Sequence, residues 1–134
     1  ADRLLGFCRG VIMKRADFTL IEGAGGWRVP LNARETLAKL PVELKVPVIL
    51  VVGMKLGCIN HAILTAEAIR RDGLQLAGWV ANTPESEMSC YEENIETLKS
   101  LMPCPCLGEI PRLEGSGAEQ AAQYLSIDTL LSSL

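Results

Sequence analysis

One carboxylate in the sequence stands where a strand is predicted to end and a glycine run begins. Glu22 closes the largely apolar segment 17–22 and precedes four residues with little or no side chain, Gly23, Ala24, Gly25 and Gly26. A carboxylate in this position can hold Mg²⁺, while the bare backbone amides of the glycine run approach phosphate or carboxylate oxygens. The alternative is an exposed Glu at a tight turn, because a sharp turn by itself requires a residue that tolerates a positive φ.

A second group of polar residues lies where a helix is predicted to begin. Asn60 could cap that helix by accepting from an amide of its first turn, or it could receive an anionic substrate group together with the helix N-terminus. Cys58 is either a small buried apolar residue or a ligand contact in the preceding loop. Lys55 could reach a phosphate as a point charge or remain solvated. His61 has no visible Asp or Ser partner for a catalytic triad.

Two further segments could bind a flat base. Asn82 follows a predicted strand and offers both a donor and an acceptor, the pair needed to read an adenine edge. Asn-Thr-Pro is also a common way to open a turn, so that alternative stays open. Residues 111–113 could wrap a base through their backbone groups or form an ordinary loop. Trp27 is either a packing residue or a lid over the site.

The cysteines favour a reducing compartment. There are five of them, none in a CxxC pair, and His61 is not spaced with them as a zinc ligand would be. An odd number of cysteines in a chain long enough to form a core argues against a disulfide scaffold. We therefore expect reduced thiols in a cytoplasmic protein. Cys104 and Cys106 should share a buried face of one strand.

The composition excludes several classes of protein. The 134 residues are 49% hydrophobic, which is too apolar for a disordered chain. With 13 Lys and Arg against 16 Asp and Glu, the net charge of −3 argues against a nucleic-acid or anionic-membrane partner, since either needs a basic patch. No apolar run approaches the roughly 20 residues that span a bilayer.

Alternating helices and strands must position these candidate residues. Amphipathic spacing predicts helices, and short apolar runs between Gly and Pro predict strands. The predicted helices are 3–15, 34–44, 60–71, 87–102 and 118–134. The predicted strands are 17–22, 48–52, 74–81 and 103–107. The run 48–52 is uninterrupted and rich in β-branched residues, which is typical of a central parallel strand buried on both faces.

This order of elements indicates the α/β class, with a mostly parallel sheet and flanking helices. We expect a single domain over 1–134, since no linker, repeat or low-complexity segment interrupts it. Ligands bind beyond the carboxyl ends of the strands in such sheets. The segments after Glu22, Gly53, Asn82 and Leu107 should therefore line one edge.

Four segments of the chain resemble the dethiobiotin synthetases, which are P-loop-type enzymes of biotin synthesis. They are IEGAGGW at 21–27, PVILVVGMKLGCINHA at 47–62, AGWVAN at 77–82 and LGEIP at 107–111. These segments follow the order of the family and extend over most of the chain. The sequence GCINHA is the most distinctive of them.

The resemblance implies a reaction and its cofactors. It implies ATP- and Mg²⁺-dependent ring closure of 7,8-diaminononanoate with CO₂ to dethiobiotin, with release of ADP and phosphate. A substrate carbamate would attack the γ-phosphate, and the mixed anhydride would then cyclise. By the match of motifs, Glu22 would be a Mg²⁺ ligand. The residues packed against nucleotide and substrate would be Gly23, Ala24 and Gly25.

The resemblance also implies two binding sites. The residues around adenine would be Asn82, Thr83, Pro111, Arg112, Leu113 and, beyond a loop 114–117 of slightly different length, Glu119. The residues at the carboxylate end of the diamino acid would be Gly25, Gly57, Cys58 and Asn60. Part of this second site would come from a neighbouring subunit, which implies a homodimer.

The chain departs from the family pattern at one point, because no GxxxxGK[ST] occurs in its 134 residues. We expect this chain to be the C-terminal part of a larger P-loop-type domain, lacking the P-loop strand and helix. The catalytic lysine and a further Mg²⁺-binding Asp would precede Ala1, so the chain alone should not turn over. Two alternatives remain: a non-catalytic dimerisation or ligand-binding module that has lost its P-loop half, and a related cobalamin-type amidoligase, against which GCINHA argues.

Overall fold

The computed structural model describes residues 1–84, 88–115 and 117–134. The six helices of these residues are α1 Asp2–Ile12, α2 Lys39–Leu44, α3 Cys58–Arg71, α4 Tyr91–Leu101, α5 Ala118–Ala122 and α6 Ile127–Ser132. Their three strands are β1 Val48–Gly53, β2 Leu76–Asn82 and β3 Cys106–Ile110. Within these ranges no helix is long and apolar enough to cross a membrane.

The three strands form one parallel sheet in the order β1-β2-β3. The central strand β2 is buried over six of its seven residues, because it has a hydrogen-bonded neighbour on each side. Such a strand is covered on both faces in α/β proteins. The prediction of an α/β fold with a parallel sheet and flanking helices is confirmed.

In the described sheet β1 is an edge strand and not the predicted central one. Val51 in β1 is 61% exposed, and Val52 is the one residue of this strand that is buried. An apolar run shows that a strand prefers burial, but it does not show how many strands will pair with it. That number depends on segments distant in sequence, and here the central position belongs to β2.

The main core lies between the sheet and helices α3 and α4. Trp79 of β2 is completely buried there, in one cluster with Ala62 and Ala66 of α3 and Ile95 and Leu98 of α4. The two alanines leave room for the indole ring, since interiors are close-packed. A smaller cluster includes α6 and consists of Ala77, Val80, Leu107 and Leu130.

The prediction of a strand at 17–22 is wrong. This segment has no regular secondary structure, and its apolar side chains are exposed: Phe18 by 55%, Leu20 by 74% and Ile21 by 41%. A strand needs a neighbouring strand for its backbone hydrogen bonds. The free edge of β1 does not pair with this segment in the described structure.

The helices and strands of the middle of the chain lie close to their predicted positions. α1 confirms the helix predicted at 3–15. The helix predicted at 34–44 is confined to α2, because Pro30 pairs with Thr36 in an isolated bridge and the Asn32 side chain accepts from two amides of the turn. α3 begins two residues before the predicted position and ends at the predicted one, and Gly73 follows it with φ of +82°. The predicted helix 87–102 is observed as α4, and Glu87 lies outside the described residues.

Two predictions near the C-terminus need correction. The strand predicted at 103–107 begins at Cys106, because Pro103 and Pro105 carry no amide hydrogen for the ladder. The single helix predicted from 118 is divided into α5 and α6, and Leu125 between them pairs with Gly108. The Ser126 amide donates to the Leu107 carbonyl at 2.7 Å, which ties this break to the sheet.

Candidate functional site

The carboxyl ends of all three strands meet at one edge of the sheet. Gly53 pairs with Asn82, and Asn82 pairs with Ile110. Just beyond these pairs, the Met54 amide donates to the Asn82 carbonyl at 2.8 Å and the Thr83 amide donates to the Ile110 carbonyl at 3.0 Å. The backbone ladder therefore holds three of the predicted ligand-binding segments side by side.

A cavity of about 490 Å³ opens at this edge beyond β2 and β3. It is lined by Asn82, Thr83, Pro84, Ile110, Pro111, Arg112, Leu113, Gly115, Gly117, Ala118 and Ala121. Five of the six residues that the resemblance places around adenine are among them. The sixth, Glu119, lies exposed on α5 beside the lining residue Ala118 and does not itself line the cavity.

The chemistry of this cavity suits a flat, partly polar ligand. Its volume falls within the range of about 300–1,000 Å³ that is typical of small-molecule sites. Prolines and aliphatic side chains form much of the lining, while the half-buried Asn82 amide makes no hydrogen bond to another described side chain or backbone group. That amide is therefore able to donate to and accept from a ligand.

Five residues of the cavity lining were not expected from the sequence. Pro84, Gly115, Gly117, Ala118 and Ala121 carry no reactive group, so no pattern of residue types singles them out. Pro84 reaches the cavity because it follows β2, and the other four reach it because α5 and the residues just before it lie beside the end of β3. Only the tertiary arrangement could identify them.

The N-terminus of α3 lies at the same edge of the sheet but does not line this cavity. Gly57, with φ of +89°, occupies the N-cap position, and no side chain caps the helix. The interpretation of Asn60 as the N-cap is therefore wrong, because it is the third residue of the helix and exposed. The Cys58 side chain is 2% exposed within the main core. No acidic residue stands in the first turn, so the positive end of the helix dipole is not offset there.

Glu22 and the glycine run lie apart from the cavity lining. Glu22 and Ala24 are exposed, and among the described residues no hydrogen bond or ion pair involves the Glu22 carboxylate. Gly25 and Gly26 have φ of +81° and +107°, which strongly favours glycine at both positions. A Cβ atom on Gly23 would touch Leu37 at 3.5 Å. The described part of the chain contains no group of three or more His, Cys, Asp and Glu side chains that could hold a metal ion.

Trp27 is not a lid over the carboxyl edge. Its Nε1 donates to Asp72 Oδ2 at 2.8 Å, and Asp72 caps the C-terminus of α3, next to the segment that enters β2. This contact lies at the opposite edge of the sheet. Arg28 Nη2 donates to the other Asp72 oxygen at 2.8 Å, and the guanidinium holds the pKa of that carboxyl below its usual value.

Tyr91 is a further polar residue near the carboxyl edge of the sheet. It begins α4 and is only half-buried. Burial is the largest cause that raises the pKa of Tyr91. A tyrosine at the start of a helix that follows a strand end is the signal that could have identified it.

Two thiols near β3, Cys104 and Cys106, are half-buried. Burial raises the pKa of Cys104 to about 11 and also raises the pKa of Cys106. Both side chains pack against the main core. A raised pKa disfavours the thiolate, which is the form that binds metal. Cys104 and Cys106 therefore fit the predicted role of buried apolar side chains.

A family model described as an AAA domain matches residues 6–120. The chain belongs to this family. Its members are P-loop NTPase-like, which agrees with the parallel sheet and flanking helices. In such sheets ligands bind beyond the carboxyl ends of the strands, where most of the candidate residues lie.

The chain is similar to curated proteins with one common name. It is 60% identical to the ATP-dependent dethiobiotin synthetase BioD of Cellvibrio japonicus, over 98% of this chain and 57% of that protein. It is 57% identical to the protein of that name from Marinobacter nauticus, over 98% of this chain and 58% of the relative. The relative from Aliivibrio salmonicida is 45% identical over 87% of this chain and 52% of its own length. The resemblance to dethiobiotin synthetases is confirmed, and the chain spans little more than half the length of these relatives.

Proposed function

We propose that this chain provides the adenine pocket and the substrate-carboxylate site of a dethiobiotin synthetase. The reaction would be the ATP- and Mg²⁺-dependent closure of 7,8-diaminononanoate with CO₂ to dethiobiotin. The cavity beyond β2 and β3 is the observation that carries this proposal, because it gathers five of the six expected base-binding residues. Those residues come from two segments that are about thirty positions apart in the sequence.

The adenine ring would lie against the apolar lining residues of the cavity, which would remove part of its surface from water. The Asn82 side chain would pair with the edge of the ring, donating to a ring nitrogen and accepting from the exocyclic amine. Thr83 follows it, held by the hydrogen bond from its amide to the Ile110 carbonyl. A site built in this way discriminates against bases whose edges present the opposite pattern.

Glu22 suits a Mg²⁺ ion that is shared with a nucleotide. Mg²⁺ is commonly bound by one or two carboxylates, with waters and phosphate oxygens as its other ligands. A single exposed carboxylate beside backbone amides fits that donor set, and it does not fit a site built from protein groups alone. The ion would neutralise phosphate charge. Gly23, Ala24 and Gly25 would lie against the nucleotide and the substrate.

The carboxylate of the diamino acid would bind at the N-terminus of α3. Gly57 begins this helix without a side-chain cap, and no acidic residue opposes an anion in the first turn. Asn60 lies in this first turn, and its exposed side chain can donate to a carboxylate oxygen of the ligand. Cys58 would contribute through its backbone, since its side chain is in the core.

A homodimer would allow α3 to serve the site of its partner. Leu56 beside this helix is 96% exposed and Leu64 within it is 55% exposed, and covering both would stabilise a dimer. Leu56→Lys should then increase the monomer fraction in sedimentation, while Lys55→Arg should leave that fraction unchanged. A cytoplasmic location is supported by the five cysteines, all of which are free.

Calorimetric titration with adenosine and guanosine tests the proposed adenine pocket. Asn82→Asp keeps the size of the side chain but removes its donor, and we expect adenosine to bind about tenfold more weakly, or about 1.4 kcal/mol. The matched control is Gln123→Glu, the same chemical change on an exposed residue outside the cavity. Equal affinity for the two nucleosides would contradict the proposal. An adenosine affinity that Asn82→Asp leaves unchanged would also contradict it.

The N-terminus of α3, which has no side-chain cap and no acidic residue in its first turn, also fits one second candidate function, a non-catalytic ligand-binding module. Such a module would form a dimer and bind the diamino acid without binding ATP. Titration of the chain with 7,8-diaminononanoate and with ATP separates the two functions. Binding of the diamino acid alone would favour the module.

A further inference from the structure

We propose that Asp72 is a positioning residue for the loop that carries Glu22 and the glycine run. The inference rests on the proposed function, in which that loop meets Mg²⁺ and phosphate. Each Asp72 carboxylate oxygen accepts one hydrogen bond at 2.8 Å, from Trp27 Nε1 and from Arg28 Nη2. These three residues are called the Asp72 clamp below.

Little else in the described structure fixes this loop. Residues 15–26 are exposed throughout, and no backbone hydrogen bond among the described residues involves any of them. The first side chain after α1 that is held by another element is therefore Trp27. Its ring packs against the main core, while Nε1 binds Asp72.

The clamp limits where Glu22 can lie. Four residues lie between Glu22 and Trp27, and the five steps of a fully extended chain span at most about 17 Å. With the clamp closed, the Glu22 backbone stays within this radius of a fixed point. With the clamp open, the glycines at positions 25 and 26 allow the loop many more conformations.

The clamp also connects the two binding segments of the proposed site. Asp72 caps α3, whose 14 residues give the helix a length of about 21 Å. The other end of the same helix carries Gly57 and Asn60. The Asp72 side chain is only 18% exposed, so its charged hydrogen bonds are partly shielded from water.

Amide exchange tests the clamp without reference to activity. The Leu37 amide donates to the Val29 carbonyl at 2.8 Å, close to the clamp in the chain. Asp72→Ala removes both acceptors and should speed exchange of this amide at least about tenfold. Asp72→Asn retains an acceptor for Trp27 and should give an intermediate rate. The control Glu67→Ala, on an exposed position of α3, should exchange as the wild type does. Unchanged exchange in Asp72→Ala would overturn the inference.

Ligand binding by the 134-residue chain separates positioning from general stability. Asp72→Ala should weaken Mg²⁺-ATP about tenfold but change adenosine affinity less than twofold, because adenosine meets only the base pocket. Asp72→Asn should recover part of the Mg²⁺-ATP affinity. Equal weakening of both ligands would overturn the positioning role. If the wild-type chain binds neither ligand, the proposed function fails, and the exchange of Leu37 still decides whether Asp72 holds the loop.

Discussion

Gly108 of β3 lies so close to Tyr124 that a Cβ atom on the glycine would overlap the Tyr124 backbone oxygen. Gly108→Ala should therefore destabilise the fold by about 1–3 kcal/mol, because backbone atoms cannot move aside as a flexible side chain can. It should also displace α5, which lines the base cavity, and so weaken adenosine binding. Urea unfolding and calorimetry would measure the two effects. The control is Gly53→Ala in β1, where a Cβ atom meets nothing within 4 Å. Equal stability of the two variants would contradict this contact.

Glu35 should make stability depend on acid pH. Lys39, at 2.5 Å, and Asn32 are the main causes that lower the pKa of Glu35 from 4.5 to about 2. A carboxyl whose pKa is lowered by folding stabilises the folded state at pH values above its pKa in the unfolded chain. This contribution is lost as the pH falls towards the pKa in the folded state. The difference in stability between wild type and Glu35→Gln should thus be constant above about pH 5 and shrink between pH 4.5 and 2. Urea unfolding at several pH values measures this difference in stability. Glu43→Gln, at an exposed position of α2, is the control. A difference that grows towards pH 2 would refute the assignment.

The thiols should react in an order that follows burial. Cys90 is exposed, whereas burial raises the pKa of Cys104 to about 11. At pH 8 roughly 0.1% of a thiol with that pKa is ionised, and only the thiolate reacts. Mass spectrometry after brief alkylation should find Cys90 modified first and Cys104 far more slowly. In urea the two rates should converge, and a native Cys104 that reacts as fast as Cys90 would rule out its burial.

The 134-residue chain should not form dethiobiotin by itself. In P-loop enzymes the backbone amides and the lysine of the GxxxxGK[ST] motif neutralise phosphate charge in the transition state. The 134 residues contain no such motif. A steady-state assay with 7,8-diaminononanoate, bicarbonate, Mg²⁺ and ATP should show no product above the rate without enzyme. ATP-dependent product that disappears with Asn82→Asp would show that the chain is sufficient.

The free edge of β1 should promote association of the isolated chain. Its backbone groups are unpaired on one side in the described sheet, and Val51 is 61% exposed. Such edges add strands from other molecules unless a charge blocks them. Light scattering should show less aggregation for Val51→Lys than for wild type, while Leu101→Lys, at a 55% exposed position of α4, serves as a control for added charge. A monodisperse wild-type monomer that unfolds cooperatively would contradict this expectation.

Local patterns accounted for much of the fold. α3 ends at its predicted residue because its apolar spacing and the glycine after it are properties of neighbouring positions. The meeting of the segments after the strand ends was predicted in the same way, because parallel strands bring the residues after their carboxyl ends to one edge. The break between α5 and α6 was not predicted, because it depends on a contact with Gly108 at a distant position.

The sequence by itself determined the α/β class, the alternation of elements and the residue types at the strand ends. All of these follow from interactions between residues a few positions apart. Only the tertiary structure decided that β2 and not β1 is central, that the segment before Glu22 forms no strand, and that Trp27 binds Asp72, 45 positions away. Each of these outcomes is a choice of partner between distant segments. Periodicity shows that a segment needs a partner, and packing decides which one it receives.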